Sequence, residues 1–279
     1  MIPSAGSTGR IAFVIIAAGA LLVGAGMFFF PYSLATLPAP VAIERPWPWP
    51  IGPLAVRFVG SALIAIALSA GLIVLRPDLP SILAYATLMM ITGGWLLLHI
   101  LLNRDRIDWA RPLAFVWVLS VAAIWLLGTV AVLRLRPGTP YSVPPLPTTP
   151  PLASRIALVI ALLTGVVGIT MFFFPAVGRA RWPWDLGDQV NVQLLGGLFL
   201  SISTISFWSW RQPSWYGYDL LFPGAGTFAT VALIAALLHW NLFAAHPVTS
   251  PIFVVVYMLG ALLGFYPYIR YSLRKYMVG

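Results

Sequence analysis

Eight long apolar runs, broken by short polar loops, take up most of the chain. They cover roughly 11–37, 54–75, 81–102, 112–133, 156–177, 190–210, 220–244 and 250–271. Each supplies about 20 mostly apolar residues, the length an α-helix needs to cross a bilayer. The pattern therefore predicts eight transmembrane helices joined by short loops.

The runs repeat. Met27-Phe28-Phe29-Phe30-Pro31 in the first run recurs letter for letter as Met171-Phe172-Phe173-Phe174-Pro175 in the fifth. Arg10-Ile11-Ala12 opens the first run and Arg155-Ile156-Ala157 the fifth. Trp47-Pro48-Trp49 and Trp182-Pro183-Trp184 follow them. A basic residue before an apolar run resembles a signal peptide, but the matching run at Ile156 lies in mid-chain, which argues that the first is kept as a helix. Matching Gly60 with Gly196 sets Arg57 opposite Gln193. Four crossings return the chain to its starting side, so the halves are expected to be parallel, related by a pseudo-two-fold along the membrane normal.

The expected fold is an all-α integral membrane protein of about eight transmembrane helices. A first four-helix repeat spans 1–136, a proline-rich linker 137–154 and a second four-helix repeat 155–279. Pro140, Pro144, Pro145, Pro147, Pro150 and Pro151 forbid a helix in the linker. They favour extended polyproline II, at about 3.1 Å per residue.

Composition agrees with the membrane reading. Hydrophobic residues make up 60% of the chain, charged residues 8%, and mean hydropathy is +0.93. A soluble chain carries roughly a quarter charged residues. Cysteine is absent, which excludes disulfides, thiolate chemistry and iron–sulfur clusters. The net charge of +9 is spread over short loops, as membrane-end arginines rather than a nucleic-acid surface.

Those arginines set an orientation. Arg10, Arg76, Arg134, Arg136, Arg155, Arg211, Arg270, Arg274 and Lys275 lie on the side of the two termini. Arg45, Arg57, Arg104, Arg106, Arg111, Arg179 and Arg181 lie on the other. The excess of Lys and Arg marks the cytoplasmic side. A plasma-membrane (inner-membrane) protein with both termini cytoplasmic is expected.

Five groups of residues are candidates for function. Trp47 and Trp49, like Trp182 and Trp184, sit in extended proline-bound loops. They read as an aromatic belt or as the frames of two related pockets for a lipid or flat hydrophobic ligand. Arg57 falls one turn inside its run, where a charge must snorkel, pair or bind, and a lipid phosphate is one candidate partner. Gln193 is its uncharged counterpart. His99 and His239 each follow a pair of leucines, near equivalent run ends. They read either as interhelical hydrogen-bonders or as axial ligands of haem b or another porphyrin-type pigment. The 103–111 loop alternates charge signs, as a solvated turn or a docking point.

Chemistry is otherwise thin. No carboxylate or lysine lies in mid-run, and no hydrolase, metalloprotease or phosphate-loop motif occurs. An enzyme is disfavoured. The first expectation is a non-catalytic polytopic membrane protein. It would be an accessory subunit of a membrane assembly, or a binder of lipids or hydrophobic ligands through its Trp-Pro-Trp loops. Its partners would be membrane lipids, other membrane subunits or a second copy, with no cofactor. Two alternatives stand beside it. One is a transporter or flippase-like carrier of an apolar or amphipathic molecule; the other is a haem or pigment protein using His99 and His239.

Overall fold

A computed structural model describes residues 7–31, 47–76, 78–135, 148–215, 218–243 and 248–273. Glu44, Arg45, His246, the end of the first run beyond Pro31 and most of the proline-rich linker lie outside the described residues. The described chain is almost wholly helical. The helices are α1 (Ser7–Phe29), α2 (Pro53–Leu75), α3 (Leu79–Leu102), α4 (Pro112–Arg134), α5 (Pro151–Phe173), the short α6 (Pro175–Arg181), α7 (Gln189–Trp210), α8 (Leu221–Leu238), the single turn α9 (Trp240–Phe243) and α10 (Thr249–Pro267). Eight of these, all but α6 and α9, are long and apolar enough to cross a membrane.

Local chemistry sets the ends. Pro53, Pro112, Pro151 and Pro175 open their helices, where a missing N–H costs nothing because the first turn has no acceptor for it. Asp78 and Asp188 cap α3 and α7, accepting from the backbone N–H of Ser81 at 2.8 Å and of Val190 at 3.3 Å. The fifth run is expected to continue to 177, yet α5 stops at Phe173. Pro175 offers no N–H and disfavours helical backbone at Phe174, so α6 starts afresh. The seventh run likewise breaks at His239 before α9. At its other end α5 starts at Pro151, inside the stretch expected to be linker. Thr148 and Thr149 lie along 212–214, with the Thr149 N–H donating to the Pro213 carbonyl at 3.0 Å.

The helices pack as four close pairs: α1 with α2, α3 with α4, α5 with α7, and α8 with α10. Glycine permits the closest crossings. A Cβ on Gly60 would come within 2.8 Å of the Gly24 carbonyl, and one on Gly196 within 2.7 Å of the Phe172 nitrogen. The pairs then join across the sequence rather than along it. α2 packs against α8 and α3 against α7, while α2 and α3 barely touch. Outward faces of α1, α4 and α10 are apolar, with Leu22, Leu119 and Leu262 all exposed as lipid-facing side chains are.

Candidate functional site

At the end of the bundle that carries the tryptophan loops, all four indoles turn inward. Trp47, Trp49, Trp182 and Trp184 are buried, and each pair makes an edge-on contact, 5.3 Å between centroids in the first loop and 5.0 Å in the second. Trp184 packs on Phe58, Phe243 and Phe253, while Trp49 meets His99 and Trp117. Long-range packing covers what a loop sequence presents as interfacial. Asn191 clasps the two loops together. Its amide oxygen accepts from Trp49 Nε1 at 2.9 Å, and its amide nitrogen donates to the carbonyls of Pro50 and Leu186.

The charged 103–111 loop braces the first tryptophan loop. The Asp108 N–H donates to the Pro48 carbonyl, and Arg111 donates to the Trp47 carbonyl at 2.9 Å. The Arg111 hydrogen bond also holds the Asp108 carboxyl below its ordinary value. Arg106 reaches Asp188, at the start of α7, at 2.9 Å.

Arg57 and His239 meet. Arg57 Nε donates to the Phe28 carbonyl at 2.8 Å, and its Nη1 lies 2.9 Å from Nδ1 and 3.4 Å from Nε2 of His239. A guanidinium only donates, so the ring nitrogen it engages must carry the lone pair; Nδ1 also lies 3.2 Å from the Ala235 carbonyl, which only an N–H could serve, so the two contacts belong to different tautomers of the ring. Phe28 and His239 stand at the C-terminal ends of α1 and α8, where the helix dipoles favour a cation. Gln193 does the equivalent job without charge, donating to the Phe172 carbonyl at 3.0 Å. His99 is placed differently from His239. It is 0% exposed, and its Nε2 donates to the Val190 carbonyl at 3.0 Å, tying α3 to the start of α7. The two histidines therefore have separate partners. Among the described residues no group of three or more His, Cys, Asp or Glu is placed to hold a metal ion.

Deeper in the bundle is a cavity of about 110 Å³, bounded by α2, α3, α5, α7 and α8. Ala62, Ala65, Ile66 and Ser69 of α2 face it, and so do Leu198, Ser201, Ile202, Ile205 and Ser209 of α7. Among the described residues its lining contains no charged side chain and no histidine. None of the lining residues was among the candidates that the sequence offered. The signal for them was a stripe of small residues: Ala62, Ala65 and Ser69 at i, i+3, i+7, and Ser201 and Ser209 two turns apart.

Three of the hydroxyls in the lining behave unlike most of those elsewhere in the bundle. Ser61, Thr87, Thr164, Thr170, Thr204 and Thr230 each donate to the carbonyl four residues back. Such back-bonding is the ordinary way to satisfy a hydroxyl on an apolar helix. Ser69, Thr92 and Ser209 are 2%, 7% and 4% exposed, and their hydroxyls bond to no described residue. Ser201, by contrast, back-bonds to Gly197.

Beyond the cavity, at the end of the bundle away from the tryptophans, lies a charge cluster that sequence reading registered only as loop charges. Arg76 grips Asp219 with both terminal nitrogens, at 2.6 and 3.0 Å, and its Nε lies 3.1 Å from Asp78. Ser272 Oγ donates to Asp219 at 2.7 Å and receives the Trp215 indole N–H at 3.0 Å. A two-pronged, hydrogen-bonded pair of this kind keeps a carboxylate that is 1% exposed fully satisfied. It ties the end of α2 to the approach to α8 and to the helical turn Tyr268–Leu273 that follows α10.

No known protein family, curated protein or solved structure matches the chain.

Proposed function

We propose that the chain is a non-catalytic multi-pass membrane protein of two like four-helix halves, and that it holds a hydrophobic ligand in the cavity where the halves meet. The cavity carries this reading. In the register that matches Gly60 with Gly196, the α2 positions Ala62, Ala65, Ile66 and Ser69 correspond to Leu198, Ser201, Ile202 and Ile205 of α7. All eight side chains line the same space. A site built from equivalent positions of both halves is what a pseudo-two-fold relation would produce. The matching bonds of Arg57 to Phe28 and Gln193 to Phe172 support the same relation.

A largely apolar cavity between helices of a bundle, with few polar groups, has the makeup of a small-molecule site. The buried tryptophans enter this reading as the packed cap of one end rather than as the ligand surface. Both termini are assigned to the cytoplasmic face of the plasma membrane, on the nine-to-seven excess of Lys and Arg. A tag after Gly279 that proves accessible only from outside would reverse the orientation.

The central test is extraction. Wild-type protein purified in a mild detergent is expected to carry a hydrophobic compound, recovered in organic solvent at about one per chain. Ala65→Phe, which fills the cavity, should remove it and leave the annular phospholipid unchanged. Identical extracts from both proteins would sink the reading.

A further inference from the structure

Resting on the cavity-ligand reading, we propose that the ligand is an uncharged amphiphile. Its one polar group, a hydroxyl or carbonyl, would sit among the side chains of Ser69, Thr92 and Ser209. Three observations converge on this class of ligand.

The first is the unspent hydrogen-bonding capacity. Ser69, Thr92 and Ser209 come from three different helices, α2, α3 and α7, and all line one space. Each is more than nine-tenths buried and bonds to no described residue. The back-bond that satisfies comparable hydroxyls elsewhere in the bundle is not made here. A hydroxyl both donates and accepts, so the set can serve a ligand hydroxyl or carbonyl equally well.

The second is the absence of charge. Among the described residues no Asp, Glu, Lys, Arg or His lines the cavity. A phosphate, carboxylate or ammonium brought there would lose its hydration with no countercharge to replace it. Phospholipid headgroups, ions and zwitterions are thereby disfavoured. A molecule with a single neutral polar group loses far less water and regains its hydrogen bonds from the protein.

The third is shape. Ala62, Ala65, Ala157, Gly224 and Ala225 leave the room that larger side chains would fill. Gly224 in particular lies directly against Ser69, so a side chain there would press on the hydroxyl. Phe228 and Leu198 give the apolar body of the ligand its walls.

The test uses the full-length protein in lipid nanodiscs and three photoreactive probes sharing one diazirine-bearing eight-carbon chain. One is the alcohol, one the phosphate monoester and one the plain alkane. The alcohol is expected to label peptides of α2, α7 and α8 saturably, and unlabelled octanol should compete it away. The phosphate and alkane should label these peptides about tenfold less, as the loss of one or two hydrogen bonds implies.

The triple variant Ser69→Ala, Thr92→Val, Ser209→Ala breaks no side-chain bond among the described residues. It should fold normally and bring alcohol labelling down to the alkane level. Equal labelling by alcohol and alkane that the triple variant leaves untouched would overturn the neutral-head assignment while keeping a cavity ligand. Preferential labelling by the phosphate would also overturn it. Failure of every probe to label the cavity, with Ala65→Phe changing nothing, would overturn the cavity-ligand reading itself.

Discussion

Arg57 shows how a charge can live inside a membrane bundle without a carboxylate. Its acceptors are a helix-end carbonyl and a neutral imidazole, both at negative helix ends. Two substitutions separate geometry from charge. Arg57→Gln keeps a donor for the Phe28 carbonyl, as Gln193 does for Phe172, and its amide oxygen can accept from His239. It should melt close to wild type in detergent. Arg57→Leu leaves the Phe28 carbonyl without its side-chain donor, while His239 can turn its Nδ1–H to the Ala235 carbonyl, and should cost about 1–3 kcal/mol. Equal melting of the two variants would mean that the bonds contribute nothing. The identity of Arg57 as an unusual residue was readable from its place one turn inside an apolar run. Its partner was not, because His239 lies 182 positions away and joins it only through the packing of α2 on α8. The inward turn of the tryptophans was hidden for the same reason: Asn191, which receives Trp49, is 142 positions distant.

Helix existence was the most legible feature, because length and apolarity alone decide which segments can cross a bilayer. Where the runs and helices disagree, proline and helix-end chemistry explain the difference, as at Phe174-Pro175. Which face of each helix points inward was not legible. These helices are apolar on every side, so no amphipathic stripe marks the core. Small residues carry that information instead. Gly196→Ala would press a methyl onto the Phe172 backbone and should cost about 1–3 kcal/mol by overpacking. Gly71, with nothing within 4 Å of its would-be Cβ, is the control. Gly71→Ala should leave the melt unchanged or raise it slightly, since alanine favours the helix. Similar losses at both sites would show that the close crossing of α5 and α7 is not what glycine provides.

At the scale of the molecule, α2 joins α8 and α3 joins α7, so the packing units do not coincide with stretches of sequence. A cysteine pair can test this cleanly, because the chain has no cysteine of its own. A Cβ on Gly224 would lie 3.8 Å from that of Ser69, within the range a disulfide spans. The double variant Ser69→Cys with Gly224→Cys should form the cross-link on mild oxidation, with linked peptides of α2 and α8 found by mass spectrometry. Absence of that peptide under conditions that link a control pair across α1 and α2 would refute the exchange. The same pairing has a consequence for synthesis. When a ribosome has delivered only the first four spans, α2 and α3 are in the membrane with their eventual neighbours not yet made. Those waiting surfaces are the ones that α8 and α7 will later cover. On the proposed two-fold relation, the surface that fits them best until then is the one on another newborn first half.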